Sequence, residues 1–495
     1  MKTAHPNGES NLLASPLVCE YESSADELLG ALLALAPERR VQILDSGGAR
    51  GGADGEARFL IAGFDPFETV EARGRELLIG RRDEASARVE HGALLSLLDE
   101  RLARYRVART KASHLPVAGG ACIASFSYDL AREFQRLRSV APPCLDAAPE
   151  PDAVLAFYDT LVIHDYARGL THITSVAGDE QLARARDALH EARQISCFDT
   201  PMPGGGEQQR RAASNFTREA YTAAVRRIKE HIYAGDIYQA NLTQQLTSTL
   251  AEGDTSERVF LRLWREHPAS FAAFLRRPGD TVVSASPERF VRVVWEEGEN
   301  ARRVEAWPIK GTRARGRTAE EDARLRRELQ QSAKDAAENV MIVDLLRNDL
   351  GRVCRYGSVE VAALCEMQEH PTLFHLVSKV RGTLGAEVTA GELLRATFPC
   401  GSITGAPKLR AMEIIDGTET VRRGLSMGSI GYFSFDGQID LSVAIRTMTL
   451  RRDRVARFNV GGGIVAESDP EAEYEESLTK ARALLGALGT RAGYE

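Results

Sequence analysis

Lys310 stands between Trp307-Pro308-Ile309 and Gly311-Thr312-Arg313. Apolar neighbours that strip water from an ammonium lower its pKa and make it a nucleophile or base near neutral pH. The Gly-Thr-Arg turn adds backbone donors, the Thr312 hydroxyl and a forked cation suited to carboxylates. A lone lysine in a turn is more often a solvated charge, so Lys310 draws its weight from residues further along the chain. Asp335 and Glu338 lie three residues apart, as do Glu473 and Glu476, and i, i+3 residues share a helix face. If those faces meet, hard carboxylate oxygens converge in the manner that suits an octahedral Mg²⁺. The same spacing is common on exposed helices, and both readings stay open at this level.

Glu338 leads into Asn339-Val340-Met341-Ile342-Val343, a mostly apolar run that a helix must bury. A carboxylate at the edge of such a run needs a partner, a metal or a proton. Gly461-Gly462-Gly463 precede Glu473 and let backbone N–H groups approach an anion closely, or form a plain strand-end turn. Arg446 follows the apolar run 441–445, at a sheet edge where a carboxylate clamp is useful. Ser402, Thr404 and Gly405 belong to a Gly/Pro/hydroxyl loop that opens a helix, a place for anion contacts. Cys400 in that loop has no His-Asn or His-Glu companion and reads as a structural thiol. His375, inside an apolar run, reads on its own as a core histidine.

Short apolar strands alternate with helical stretches in the first part of the chain, whereas the later part, which must position these residues, does not alternate in short βαβ units. Apolar strands are expected at 59–64 and 154–165, and a helix over 217–234 starting at Thr217. Residues 281–294 read as two strands or one irregular strand, and 318–350 as one long helical pattern. Strands are expected at 429–436, 439–450 and 455–460, with Asp436-Gly437 as a tight turn, then a helix over 470–487. Adjacent strands joined by tight turns predict an α+β fold with antiparallel sheet and helices outside. Residues 198–213, with Pro, three Gly and a charged tail, predict a linker between an N-terminal region (1–197) and a catalytic region (214–490).

Composition bounds the classes. The 495 residues hold 63 basic against 70 acidic side chains, a net charge of −7 that argues against nucleic-acid binding through bulk charge. No apolar run approaches the ~18 residues of a membrane span. The N-terminus lacks a signal-like apolar stretch. Seven scattered cysteines without a C-x-x-C pair fit reduced thiols. A soluble cytoplasmic protein is the expectation.

Taken in order, GDIYQANLTQQL (235–246), SASPERF (284–290), PIKGTRARG (308–316), AENVMIVDLLRNDLGRV (337–353), FPCGSITGAPKLRAMEII (398–415) and GGGIVAESDPEAEYEESLTKARA (461–483) resemble the chorismate-utilising enzymes. That family includes anthranilate, aminodeoxychorismate, isochorismate and salicylate synthases. The resemblance implies a large antiparallel β-sandwich core with helices packed outside. It also implies Mg²⁺ on Glu338 and Glu476, with Asp335 and Glu473 supporting. Arg446, Gly461, Gly462 and Lys480 are then the groups that bind the carboxylates and enolpyruvyl group. His375, Ser402 and Thr404 flank the leaving C4 oxygen, with Glu288 near the reacting ring and Thr312 and Gly405 among the substrate contacts.

Position 310 separates the branches. The resemblance implies that a lysine there attacks C2 of chorismate, and that ammonia then resolves the adduct at C4, the aminodeoxychorismate reaction. Anthranilate synthases carry alanine at this position and are the rival reading; a non-catalytic chorismate-binding relative is the other. Gln239 stands where isochorismate and salicylate synthases carry a water-activating lysine, and Asn241 also matches the aminodeoxychorismate branch. Ser426 departs from the family, replacing a tyrosine that contacts substrate. Ser46, in LDSGG, matches a tryptophan pocket of some relatives. The chain contains no glutaminase motif, so ammonia is expected from a separate glutamine amidotransferase subunit.

Overall fold

The computed structural model describes residues 15–48, 58–108, 114–135, 137, 150–195, 210–296, 298, 300–369 and 373–492. Two large sheets, of thirteen and twelve strands, form its centre. The first runs from Leu17–Tyr21 at one edge to Thr490–Ala492 at the other, and the second from Ile309–Ala314 to Arg88–His91. All named strand neighbours are antiparallel except Arg210–Ser214 with Thr490–Ala492. Eleven α-helices lie among the described residues.

Alternation along the strands explains the layering. In Ala121–Phe126, Ala121 and Ile123 point into a cluster with Ile61, Ile163 and Leu275 of the opposite sheet. Cys122, Ala124 and Phe126 point the other way, among residues of the helices Leu94–Arg104 and Ala390–Thr397. Every residue of that strand is buried, so a period-two pattern is written in two apolar faces and reads in the sequence as one apolar run. The α+β sandwich with outer helices is therefore the observed architecture.

Both sheets take strands from both sides of the proposed linker. Gln42–Asp45 pairs with Phe271–Arg276 in one, and Ala121–Phe126 with Ser429–Ser434 in the other. Residues 198–209 of the linker lie outside the described residues. Its last residues are not a crossing but the start of the strand Arg210–Ser214, which pairs on both edges. No helix among the described residues is long and apolar enough to cross a membrane.

Three local expectations change. The helical pattern 318–350 is two helices, Ala319–Gln330 and Ala333–Gly351, because Ser332 caps a new start by accepting the Asp335 N–H at 3.2 Å. The strand expected over 154–165 is two strands, Ala153–Tyr158 and Thr160–Asp165, while 281–294 follows its two-strand reading, Asp280–Ser286 and Arg289–Trp295. The strand expected over 439–450 breaks into Ile439–Val443 and Thr447–Arg451, with Arg446 between them at φ 47°. The helix Arg218–Tyr233 is as expected, and Thr217 caps it.

One buried ion pair joins these layers. Arg423, 3% exposed, donates to Glu419, to the carbonyls of Ile403 and Asn241, and lies 4.4 Å from the Tyr128 ring centroid. Glu419 in turn accepts from the N–H and hydroxyl of Thr243. Removing one member leaves the other charge buried, so Arg423→Ala is expected to cost about 3–5 kcal/mol. A urea titration reads this as a lowered midpoint. The double replacement Arg423→Met with Glu419→Leu should recover part of the loss; a single variant as stable as the parent would contradict this account.

Candidate active site

The site gathers on the strand Val455–Ile464, where three successive glycines leave no side chain. A Cβ on Gly461 would lie 1.8 Å from the Leu242 carbonyl oxygen of the paired strand Gln239–Thr249. On Gly462 it would meet Glu473 at 3.0 Å, Lys480 Nζ at 3.5 Å and Glu476 at 3.7 Å. On Gly463 it would meet Gln239 Nε2 at 2.5 Å and Lys310 Nζ at 3.5 Å. The glycines are thus a floor over which residues from one helix and two other strands converge. The glycines do not form a strand-end turn: they lie within the strand, paired with Thr243, Leu242 and Asn241.

Lys310 lies on Ile309–Ala314 and its Nζ is 3.7 Å from Glu338 of the helix Ala333–Gly351, both side chains mostly buried. The sequence predicts apolar company for this lysine; the structure gives it a carboxylate instead. Trp307 turns toward other cations, with Lys379 Nζ 4.0 Å and Arg289 4.8 Å from its ring centroid. On the helix Pro470–Ala487, Glu476 pairs with Lys480 at 2.8 Å, and Lys480 also donates to the Gly461 carbonyl at 2.9 Å. Burial pushes the Glu473 carboxyl up, and the neighbouring Glu476 adds to this against a hydrogen bond from Ser468. Burial also acts to raise Glu476, but Lys480 outweighs it and holds that carboxyl below its ordinary value.

Among the described residues no three metal-ligating side chains stand as one cluster. The donor chemistry nevertheless fits a hard cation. Glu338 and Glu476 each hold an ammonium, and the Lys310 charge reaches Glu476, so carboxylates of both helices face one space. Asp335 is turned aside: it pairs with Arg313 at 3.3 Å and packs under Gly311 at φ 81°.

Glu288 is the most perturbed carboxyl near the lysine. Burial pushes it up to about 7, against a hydrogen bond with Ser402 and the attraction of Lys310. Its Oε1 has no hydrogen-bond partner. His375 is no bare core histidine, because its Nδ1 lies 2.9 Å from the Thr312 hydroxyl across paired strands. The Thr404 hydroxyl donates to the Cys400 carbonyl at 2.8 Å, which holds the loop together. Gly405, at φ 147°, pairs with Ala240 where a Cβ would meet the Gln239 carbonyl at 2.2 Å. Burial pushes the Cys400 thiol up to about 12, as fits a structural cysteine.

Several buried polar atoms beside the glycines have no hydrogen-bond partner: the side-chain oxygen and nitrogen of Gln239 and Asn241 Nδ2. Such groups are destabilising unless something bonds to them. Arg446 has no side-chain hydrogen bond or ion pair among the described residues, and burial lowers its pKa. Ser426 accepts the Asn459 N–H at 2.9 Å, so its hydroxyl holds the sheet. Ser46 lies apart, on the end of Gln42–Asp45, four strands from the glycine strand in the same sheet; its hydroxyl is buried and unbonded. Sequence reasoning missed Arg423 and Glu419, which brace Asn241 and the Ser402 loop. An i, i+4 Glu/Arg pair carries no local sign of burial.

Comparison with known proteins identifies the family. The chorismate binding enzyme family pattern matches residues 52–486. Aminodeoxychorismate synthase component 1 of Escherichia coli K12 is 39% identical over 432 residues, covering 87% of this chain and 90% of that one. Anthranilate synthase component 1 of Acetivibrio thermocellus is 34% identical over 450 residues, covering 88% of each. The crystal structure of anthranilate synthase component I from Streptococcus pneumoniae superposes with a TM-score of 0.72 at 29% identity, covering 86% of this chain and 92% of that one. The menaquinone-specific isochorismate synthase of Escherichia coli, at 15% identity and a TM-score of 0.65 over 96% and 94%, shares the fold. The chain is a chorismate-utilising enzyme and belongs to the chorismate binding enzyme family.

Proposed function

We propose that this enzyme replaces the C4 hydroxyl of chorismate with an amino group, giving 4-amino-4-deoxychorismate for 4-aminobenzoate and folate synthesis. The observation that carries this reading is Lys310 Nζ, held over the glycine floor between Glu338 and the unbonded amide of Gln239. The relatives called component 1 are named as one part of a larger assembly. Ammonia then comes from a glutamine amidotransferase partner. Mg²⁺ held by Glu338 and Glu476, with Glu473 beside them, would neutralise the ring carboxylate, while Asp335 holds Arg313 instead.

The residues support a balanced sequence. Ionised Glu288 takes a proton from the Lys310 ammonium, whose freed amine bonds to C2 as both ring double bonds shift by one position and the C4–O bond breaks. The departing hydroxyl takes the Glu288 proton and leaves as water. Glu288 then accepts a proton from the substituted ammonium on C2. Ammonia next attacks C4, both double bonds shift back and the C2–N bond breaks. The lysine nitrogen leaves with the Glu288 proton, and the new C4 ammonium gives one of its own to the Lys310 amine, which restores the starting ammonium. His375, oriented by Thr312, and Ser402, bonded to Glu288, flank the leaving oxygen. Arg446 and Lys480 supply cations for the carboxylates. Gln239 cannot activate water for addition at C2, which separates this site from hydroxylating relatives.

The rival is amination at C2 with loss of pyruvate, which anthranilate synthase relatives of similar identity keep in play. Incubation with chorismate, Mg²⁺ and ammonium chloride separates the two: the product should become 4-aminobenzoate only after aminodeoxychorismate lyase is added. Direct appearance of anthranilate would overturn the proposal. Lys310→Ala should lose C4 amination by about 10²-fold or more, with an unchanged melting temperature. Full amination by that variant removes the nucleophile.

Glu288 generates a pH prediction. Because its ionised form starts the sequence, kcat/KM should rise with pH through about 7. Glu288→Gln should lose both the limb and most of the rate. The stability sign runs the other way. Between its ordinary pKa of 4.5 and about 7 the folded protein holds a proton the unfolded chain has lost, so stability falls as pH rises across that window. The melting-temperature difference between parent and Glu288→Gln, followed from pH 4.5 to 8, should move in the variant's favour and then level off. A constant difference would mean that Glu288 does not titrate there.

A further inference from the structure

A second cleft, of about 510 Å³, opens in the N-terminal half, and none of the residues of the candidate active site lines it. That volume lies in the range of small-molecule sites. Five arginines stand on its walls against three carboxylates. Four of the arginines are already held. Arg39 bonds Asp65 through two nitrogens, at 3.0 and 2.6 Å. Arg82 bonds Asp159, Arg81 pairs with Glu68 at 3.0 Å, and Arg184 with Glu180 at 2.5 Å.

Arg40 differs. Its Nη1 donates to the Thr69 hydroxyl at 3.1 Å, and no carboxylate pairs with it among the described residues. A guanidinium offers five N–H donors, so most of this fork is open on a half-buried wall. Its backbone is also set. Arg40 adopts φ 48°, a left-handed conformation uncommon for arginine, and Asp65 beside it has φ 52°. The Arg40 N–H donates to the Pro37 carbonyl, and its own carbonyl accepts the Tyr158 hydroxyl at 3.1 Å. Strain held this firmly tends to accompany a binding role. The lining also includes Phe64, Pro66 and Val162, with the Arg39 guanidinium 5.1 Å from the Phe64 ring centroid. The cleft therefore joins an open bidentate cation to partly apolar walls.

We propose that this cleft binds a small organic oxyanion, a carboxylate or phosphate ester on an apolar body, with Arg40 as its anchor. A planar fork meets either oxyanion through two parallel hydrogen bonds, while the apolar body can lie against Pro66 and the Phe64 edge.

Calorimetric titration of the full chain with benzoate and, separately, phenyl phosphate tests this and distinguishes the two sources of charge. Saturable binding of at least one probe is expected, unchanged by saturating chorismate. Arg40→Asn keeps a residue that tolerates the left-handed backbone but removes the charge. It should weaken binding at least tenfold while leaving chorismate consumption at the parent rate. Arg40→Lys should fall between, because it keeps the charge and loses the fork. Should Arg40→Asn lower the melting temperature, Ala87→Trp, which fills the exposed rim, gives the same readout without touching the strained residue. Absence of binding by both probes, displacement by chorismate, or affinity that survives both Arg40→Asn and Ala87→Trp would overturn the proposal.

Discussion

The site exists because three successive Cβ atoms are missing. Any side chain at Gly461 would strike a backbone carbonyl, which has no rotamer through which to yield. The ten-residue ladder between Gln239–Thr249 and Val455–Ile464 would have to open, and with it the register that brings Gln239 opposite the glycines. At Gly462 and Gly463 the obstruction would be the functional groups themselves. Backbone sterics therefore come first, and the electrostatics are arranged inside the space they leave.

Within that space, burial acts on carboxyls of one kind and sorts them by neighbour. Glu288 has a hydroxyl and a more distant ammonium for company, and desolvation wins. Glu476 has an ammonium in contact, and the charge wins. One group is left able to exchange a proton near neutrality, the other fixed as an anion. Separation of this sort between chemically identical side chains marks a division of labour in many active sites.

How much of this was legible depends on the distance over which each signal acts. The glycine run, the helix capped by Thr217 and the carboxylate spacings are local, and they were readable. The sandwich was less so, because a strand buried on both faces hides its alternation, as Ala121–Phe126 does. The long helix was misread at Ser332, a capping residue inside a helical pattern. The environment of Lys310 was misread for a different reason. Its flanking residues are apolar, but its partner comes from a helix 28 positions downstream in the numbering, and only tertiary structure brings Glu338 there. Arg423 and Glu419 were invisible, since burial rather than spacing gives that pair its weight.

The interleaving of the strands bears on how the protein holds together as a polymer. A break in the chain between Ile195 and Arg210 would leave two fragments, neither of which owns a complete sheet. Each would present bare strand edges, Gln42–Asp45 and Ala121–Phe126 on one fragment, Phe271–Arg276 and Ser429–Ser434 on the other. Exposed edges of this kind seek partners, their own complement or copies of themselves. Nascent chains meet the same choice in time: the first half must wait, edges open, until the second has left the ribosome.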